Sequence, residues 1–236
     1  MSQREVTQRE LDELLRSQEL PPLPADRVKQ IEIALTANLK PVRPLAAESV
    51  YLAGFATGFI ALCAIGCYFA GQSGWHALNS VQKLCVFAPL GACAALLVFS
   101  IVRQMTPAAK HVRSSAVLSA GAFLLLFLMM AAIFRPVHEL EFVRTGVMCF
   151  RTGMTFAIPA AFLFALLLLR GAALSPALTG ATAGGLAGLV GLAVLEIRCP
   201  DLNVYHIVAW HVSVTLVCAV GGLVFSVITS QRRATS

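Results

Sequence analysis

The chain has 236 residues, of which 58% are hydrophobic and only 13% charged, whereas soluble domains carry about 45–50% apolar and about 25% charged residues. With a mean hydropathy of +0.77, this excludes a water-soluble enzyme of ordinary surface and a disordered or fibrous chain, and leaves an integral membrane protein. The formal charge of +6 is uneven: residues 1–48 hold seven Lys/Arg and eight acids, the remaining 188 eleven and four. Basicity among apolar runs serves membrane anchoring and orientation rather than direct nucleic-acid binding, which needs a basic stripe on a soluble element.

Residues 1–48 read as a polar segment of two short helices. Thr7 and Glu10 have the spacing of a capping box opening a helix over 9–16, with Leu11, Leu14 and Leu15 on one face. Pro21, Pro22 and Pro24 interrupt it, because proline lacks a backbone donor and fixes φ. A second helix over 25–39 places Val28, Ile31, Leu35 and Leu39 at helical spacing. Neither is long enough to persist alone in water. Each apolar stripe therefore needs the membrane surface, the underside of a bundle or a protein partner. Lys40-Pro-Val-Arg-Pro44 gives a stiff link onward.

Six apolar runs follow, at 50–70, 84–102, 116–134, 154–169, 177–195 and 207–229, and none contains Asp, Glu, Lys or Arg. A hydrocarbon core about 30 Å thick needs roughly 20 apolar residues per helix. The expected fold is thus an all-α polytopic membrane protein: a segment at 1–48, six spans within 49–230 and a tail at 231–236. The fourth run is short, and Pro159 within it is the one clear kink candidate. Lys/Arg bias favours the N-terminus and C-terminus both inside, with thirteen basic residues on that side against five on the other. Tyr68, Trp75, Tyr205 and Trp210 then fall at the outer interface. Gly180, Gly184 and Gly188 on the fifth span, and Gly54 and Gly58 on the first, are spaced for close helix approach, within one bundle or in a homodimer.

On this topology three loops face outward, at 71–83, 135–151 and 197–206. They carry Cys149, Cys199 and His206, with His211 one turn into the last span. Cys149 and Cys199 lie 50 residues apart, but the fourth and fifth spans return the chain to the same side. A disulfide there would contribute about 4 kcal/mol in the chain-entropy model. Three readings stay open: a structural disulfide, a redox- or metal-responsive pair, or inert thiols. Thiols and imidazoles suit zinc or a heavier ion, so Cys149, Cys199, His206 and His211 form a candidate ligand set, although no CxxC or HExxH occurs. Five residues apart on an α-helix, His206 and His211 would point about 140° away from each other. They converge only if His206 precedes the helix. Glu196, beside Arg198, reads as an interfacial charge, and the remaining cysteines as small hydrophobes. A membrane thiol oxidoreductase would want CxxC and a second pair. A small metal or ion transporter would want ionisable groups at mid-membrane. The sequence offers neither, and the expected role is non-enzymatic, with no resident cofactor beyond a transient heavy-metal ion.

The stretch Leu-Thr-Ala-Asn-Leu-Lys-Pro-Val-Arg-Pro-Leu (35–45), the Gly-rich fifth span leading into Arg-Cys-Pro-Asp (198–201), and His206 followed by Trp210-His211 together resemble the NrsF family. These are membrane-bound negative regulators of extracytoplasmic-function sigma factors in bacteria. The resemblance covers roughly 30–230, and residues 1–24 depart from its shortest pattern. It implies an anti-sigma factor of the bacterial inner membrane that holds its sigma factor through the cytoplasmic segment. It also implies a pair of periplasmic cysteines responding to heavy metal or oxidative stress, matched here by Cys149 and Cys199. The expected partner surface is Leu11, Leu14, Leu15, Val28, Ile31, Leu35 and Leu39.

Overall fold

The computed structural model describes residues 24–37, 46–106, 112–137, 141–171 and 175–234. The chain divides into two units, Met1–Pro44 and Leu45–Ser236. In the first, α1 (Ala25–Ala37) starts directly after Pro24, with Asp26 in its first turn, where a carboxylate meets the positive end of the helix dipole. Val28 and Ile31 are 49% and 50% exposed on it. Leu35 lies on this helix, while Leu11, Leu14, Leu15 and Leu39 fall outside the described residues.

The second unit contains α2 (Glu48–Ala70), the short α3 (Ser73–Ala77), α4 (Ser80–Met105), α5 (Val112–Ile133), α6 (Phe142–Leu168) and α7 (Pro176–Arg198). It ends in a helical turn α8 (Val204–His206), a π-helical turn Ile207–His211 and α9 (Val212–Ala234). Regular structure among the described residues is helical, joined by one isolated bridge between Arg135 and Asn203. Five helices are long and apolar enough to cross a membrane, and α5 adds the shorter apolar stretch Val117–Ile133. The fourth apolar run, short by sequence, belongs to a 27-residue helix that starts at Phe142 and continues through Pro159. Its first turns carry Arg144 and Arg151, so the helix extends beyond its apolar part.

α7 forms the centre. In its apolar window 89% of residues are buried, against 11–50% in the other four candidate spans. The other helices turn apolar side chains outward, including Phe69, Phe162, Leu216 and Phe225. Such an inside-out distribution suits lipid as the surrounding solvent. The glycine face of α7 closes on α9: a Cβ at Gly184 would strike the Cys218 carbonyl, and one at Gly188 the Thr215 backbone. Gly54 and Gly58 face Leu167, Leu163 and Phe164 of α6. Small residues thus set close packing within one bundle.

The helices alternate in direction, which gives the unit two ends. At one, the Tyr51 hydroxyl near the start of α2 donates to the Arg170 carbonyl at 2.7 Å, and Met105, ending α4, lies against Gly171. At the other, Gly74 of α3 packs on the backbone of Cys199. There the Val204 amide donates to the Arg135 carbonyl at 3.2 Å. α5 therefore returns the chain from the Met105 end to the Arg135 end.

Candidate functional site

Three elements meet at the Cys199 end. α6 brings Cys149 two turns in from its start at Phe142; Cys149 is on a helix, not in the loop that its polar surroundings suggest. α7 stops at Cys199, whose amide donates to the Leu195 carbonyl at 2.7 Å. Pro200 has no donor with which to prolong the helix. The turn that follows is tied down by short polar contacts. Asp201 Oδ1 accepts from the Asn203 amide at 2.9 Å, and Asn203 Nδ2 donates to the Val137 carbonyl at 2.8 Å. Asn203 Oδ1 also caps α8 through the Tyr205 amide at 3.2 Å.

The π-helical turn then changes the geometry expected from sequence. Its i→i+5 pattern, in which the Val212 amide bonds the Ile207 carbonyl, widens the turn, so residues five apart come onto one face. His206 and His211 consequently meet edge to face, with ring centroids 5.2 Å apart. On a regular α-helix they would diverge. Both side chains are fully buried.

Neither sulfur is in a disulfide, and Cys149 Sγ lies 3.5 Å from Cys199 Sγ. Cys199 Sγ lies 3.8 Å from His206 Nε2. One ligand-type atom from each of Cys149, Cys199, His206 and His211 falls within 4.8 Å of all the others. Cys199 is only 8% exposed, which corrects the expectation of a water-facing thiol. Its thiol pKa is raised, first by the hydrogen bond with Cys149 and then by burial, while His206 and His211 pull it the other way. Cys149 and Cys199 both line an open cleft of about 490 Å³, with Arg151 and Arg198 on its walls.

Two carboxylates missed in the sequence complete the arrangement. Glu196 is not an interfacial charge in water: it is 3% exposed, and its Oε1 sits 2.8 Å from His211 Nδ1. Asp201 Oδ2 lies 3.2 Å from His206 Nδ1. Each imidazole thus has a carboxylate oxygen near Nδ1, and His206 turns its Nε2 to the Cys199 sulfur. His211 Nε2, buried, makes no hydrogen bond of its own. The sequence carries a signal for this pairing: an acid at the end of an apolar helix, with a histidine in the apolar run after it, is a combination that low-dielectric surroundings favour. The interfacial aromatics divide. Tyr68 and Tyr205 are exposed, but Trp210 packs on Phe142 with centroids 5.8 Å apart.

Such a site can bind a soft or borderline cation or join its two sulfurs. No curated protein sequence and no solved structure matches the chain. A family model described as "NrsF: Negative regulator of sigma F" matches residues 35–229. That span includes Cys149, Glu196, Cys199, Asp201, His206 and His211, and leaves Val28 and Ile31 before its start. The chain belongs to the NrsF family of negative regulators of sigma F.

Proposed function

We propose that this regulator is a six-span anti-sigma factor of the bacterial inner membrane. Its N-terminal segment sequesters an extracytoplasmic-function sigma factor in the cytoplasm and releases it when Cys149 and Cys199 respond to heavy metal or oxidant in the periplasm. The observation that carries this reading is the separation of the two ends of the membrane unit. The chain enters that unit at the start of α2, whereas the thiols lie at the end where α2 finishes and α3 packs on Cys199. A 23-residue helix rises about 34 Å at 1.5 Å per residue, enough to cross the hydrocarbon core. The return of the chain through α5 supports a sixth crossing and equal sidedness of both termini. Lys/Arg bias supports the inside location of the N-terminus.

The exposed Val28 and Ile31 of α1 supply apolar surface for a partner. Anti-sigma action needs no catalysis: it needs a surface that competes with polymerase for the sigma factor. Release needs the stimulus to favour one packing of the protein over another, because equal affinity for both shifts nothing. The test is co-purification from native membranes. Wild-type protein should capture a sigma factor and release it on exposure to cadmium or peroxide. Cys149→Ser and Cys199→Ser should capture but not release, and Val28→Glu with Ile31→Glu should not capture. Failure of the wild type to retain any sigma factor sinks the partner assignment. Wild-type release that persists in both serine variants sinks the sensing assignment.

A further inference from the structure

We infer that Cys149, Cys199, His206 and His211 form a closed tetrahedral site for a divalent d10 cation of the zinc and cadmium class. Glu196 and Asp201 act in it as positioning residues that hold both imidazoles with Nε2 toward the thiols. This deepens the sensor reading and rests on it only for the regulatory consequence.

Geometry comes first. Zn–S bonds of about 2.3 Å and Zn–N bonds of about 2.0–2.1 Å define a tetrahedron with edges of roughly 3.4–3.8 Å. The Sγ–Sγ distance of 3.5 Å and the Sγ–Nε2 distance of 3.8 Å are already such edges. All four ligand atoms lie within 4.8 Å of one another, so the widest edge shortens by about 1 Å on closing.

The histidine chemistry points the same way. A neutral imidazole that gives its Nδ1 proton to a carboxylate presents the Nε2 lone pair as a ligand, and the carboxylate fixes ring orientation and raises basicity. Here His211 has that partner in Glu196, hydrogen-bonded at 2.8 Å, and His206 Nδ1 has the Asp201 carboxylate at 3.2 Å, an ion-pair contact short of hydrogen-bond geometry. The second, independent sign is His211 Nε2, a fully buried nitrogen with no hydrogen-bond partner. A hard ion such as magnesium or calcium wants oxygen ligands and finds none among these four. Binding moves protons and no electrons: the Cys149 and Cys199 thiols release theirs to water, any imidazole carrying an Nε2 proton releases that as well, and the two thiolates balance the dication. Both imidazoles keep Nδ1–H.

The experiment uses the full chain, purified in detergent, reduced and freed of metal on a chelating resin. Equilibrium dialysis against Zn²⁺ should give one ion per chain. Co²⁺ in its place should give the intense visible bands of tetrahedral coordination together with thiolate charge transfer. Cys199→Ser and His211→Gln should each remove stoichiometric zinc. Asp201→Asn, at a partly exposed carboxylate that leaves the packed interior intact, should keep the tetrahedral Co²⁺ spectrum while weakening zinc affinity about 10–100-fold. Loss of affinity with an unchanged spectrum is the signature of a positioning residue. Absence of stoichiometric zinc, an octahedral Co²⁺ spectrum, or His206→Gln and His211→Gln both binding as tightly as wild type overturns the inference. The regulator reading fails separately. Zinc bound without any captured sigma factor leaves this site standing, whereas sigma released by peroxide from a protein that binds no zinc removes the site alone.

Discussion

Glu196 and His211 offer the sharpest test of the buried arrangement. Their side chains are 3% and 1% exposed, and Oε1 and Nδ1 stand 2.8 Å apart. A hydrogen bond to a charged group contributes about 1.5–3 kcal/mol, while an exposed ion pair gives about 0–1 kcal/mol. Glu196→Gln keeps the volume and removes the charge; His211→Gln removes the ring. In metal-free, reduced protein, each single change should cost stability, and the double variant should show a coupling of about 1.5–3 kcal/mol. Equilibrium unfolding in mixed micelles with increasing SDS, followed by circular dichroism, reads all four proteins. The Arg144–Glu141 pair supplies the internal control. It is 3.2 Å long but 77% and 59% exposed, so Glu141→Gln should change stability by less than about 1 kcal/mol. A Glu196–His211 coupling below about 0.5 kcal/mol would mean two independent groups, and the carboxylate would return to the interface where its sequence position first puts it.

Mild oxidation of the metal-free protein should join Cys149 to Cys199 within one chain, closing the 50-residue interval between them and adding about 4 kcal/mol of stability in the chain-entropy model. Non-reducing electrophoresis and peptide mapping check it, and a disulfide-linked dimer without the internal bond would contradict it. Gly184→Leu should cost about 1–3 kcal/mol or more through overpacking, because its Cβ meets the Cys218 carbonyl. Gly121→Leu, with nothing within 4 Å of its Cβ, should stay within about 0.5 kcal/mol; equal losses in micelle unfolding would refute the α7–α9 contact. The Cys199 thiol pKa is raised, chiefly by the hydrogen bond with Cys149. The reactive thiolate is then scarce at neutral pH and appears as pH rises through the shifted value. Its alkylation rate, followed by mass spectrometry, should climb with pH, and Cys149→Ser should move the climb to lower pH; a flat profile would refute the bond.

The apolar runs made the membrane class and most helices legible, because a bilayer imposes length and composition on every crossing. Helix ends were less legible, since polar residues prolong helices past the hydrocarbon core. α6 starts at Phe142, not near Met154, and Cys149 rides on that extension. Cys149 and Cys199 were selected by sidedness alone, and the structure brings them together. Glu196 and Asp201 were not, because their value lies in partners 15 and 5 residues away across a turn that local rules do not encode. The π-helical turn is the deepest reason. Helical periodicity with 3.6 residues per turn sends His206 and His211 apart, and one widened turn reverses that result. Sequence patterns report the regular helix, and function here sits where the helix is irregular.

That irregularity separates the parts of the bundle that stability explains from the parts it does not. The glycine face of α7 against α9 is what close packing in lipid needs, and apolar burial along α7 requires nothing further. A buried carboxylate–imidazole pair is different: well-packed apolar residues of the same volume are often equally stable or better, and ionisable groups at membrane depth are costly. A widened turn likewise gives up regular helix geometry, and such turns concentrate at functional sites. Both features converge on the same few ångströms, around two unbridged sulfurs and one buried nitrogen without a hydrogen bond. Packing alone predicts neither their presence nor their coincidence. A ligand drawn to that point would join α6, the end of α7 and the start of the final helix, the three elements whose mutual packing also carries the glycine seam to the far end of the unit.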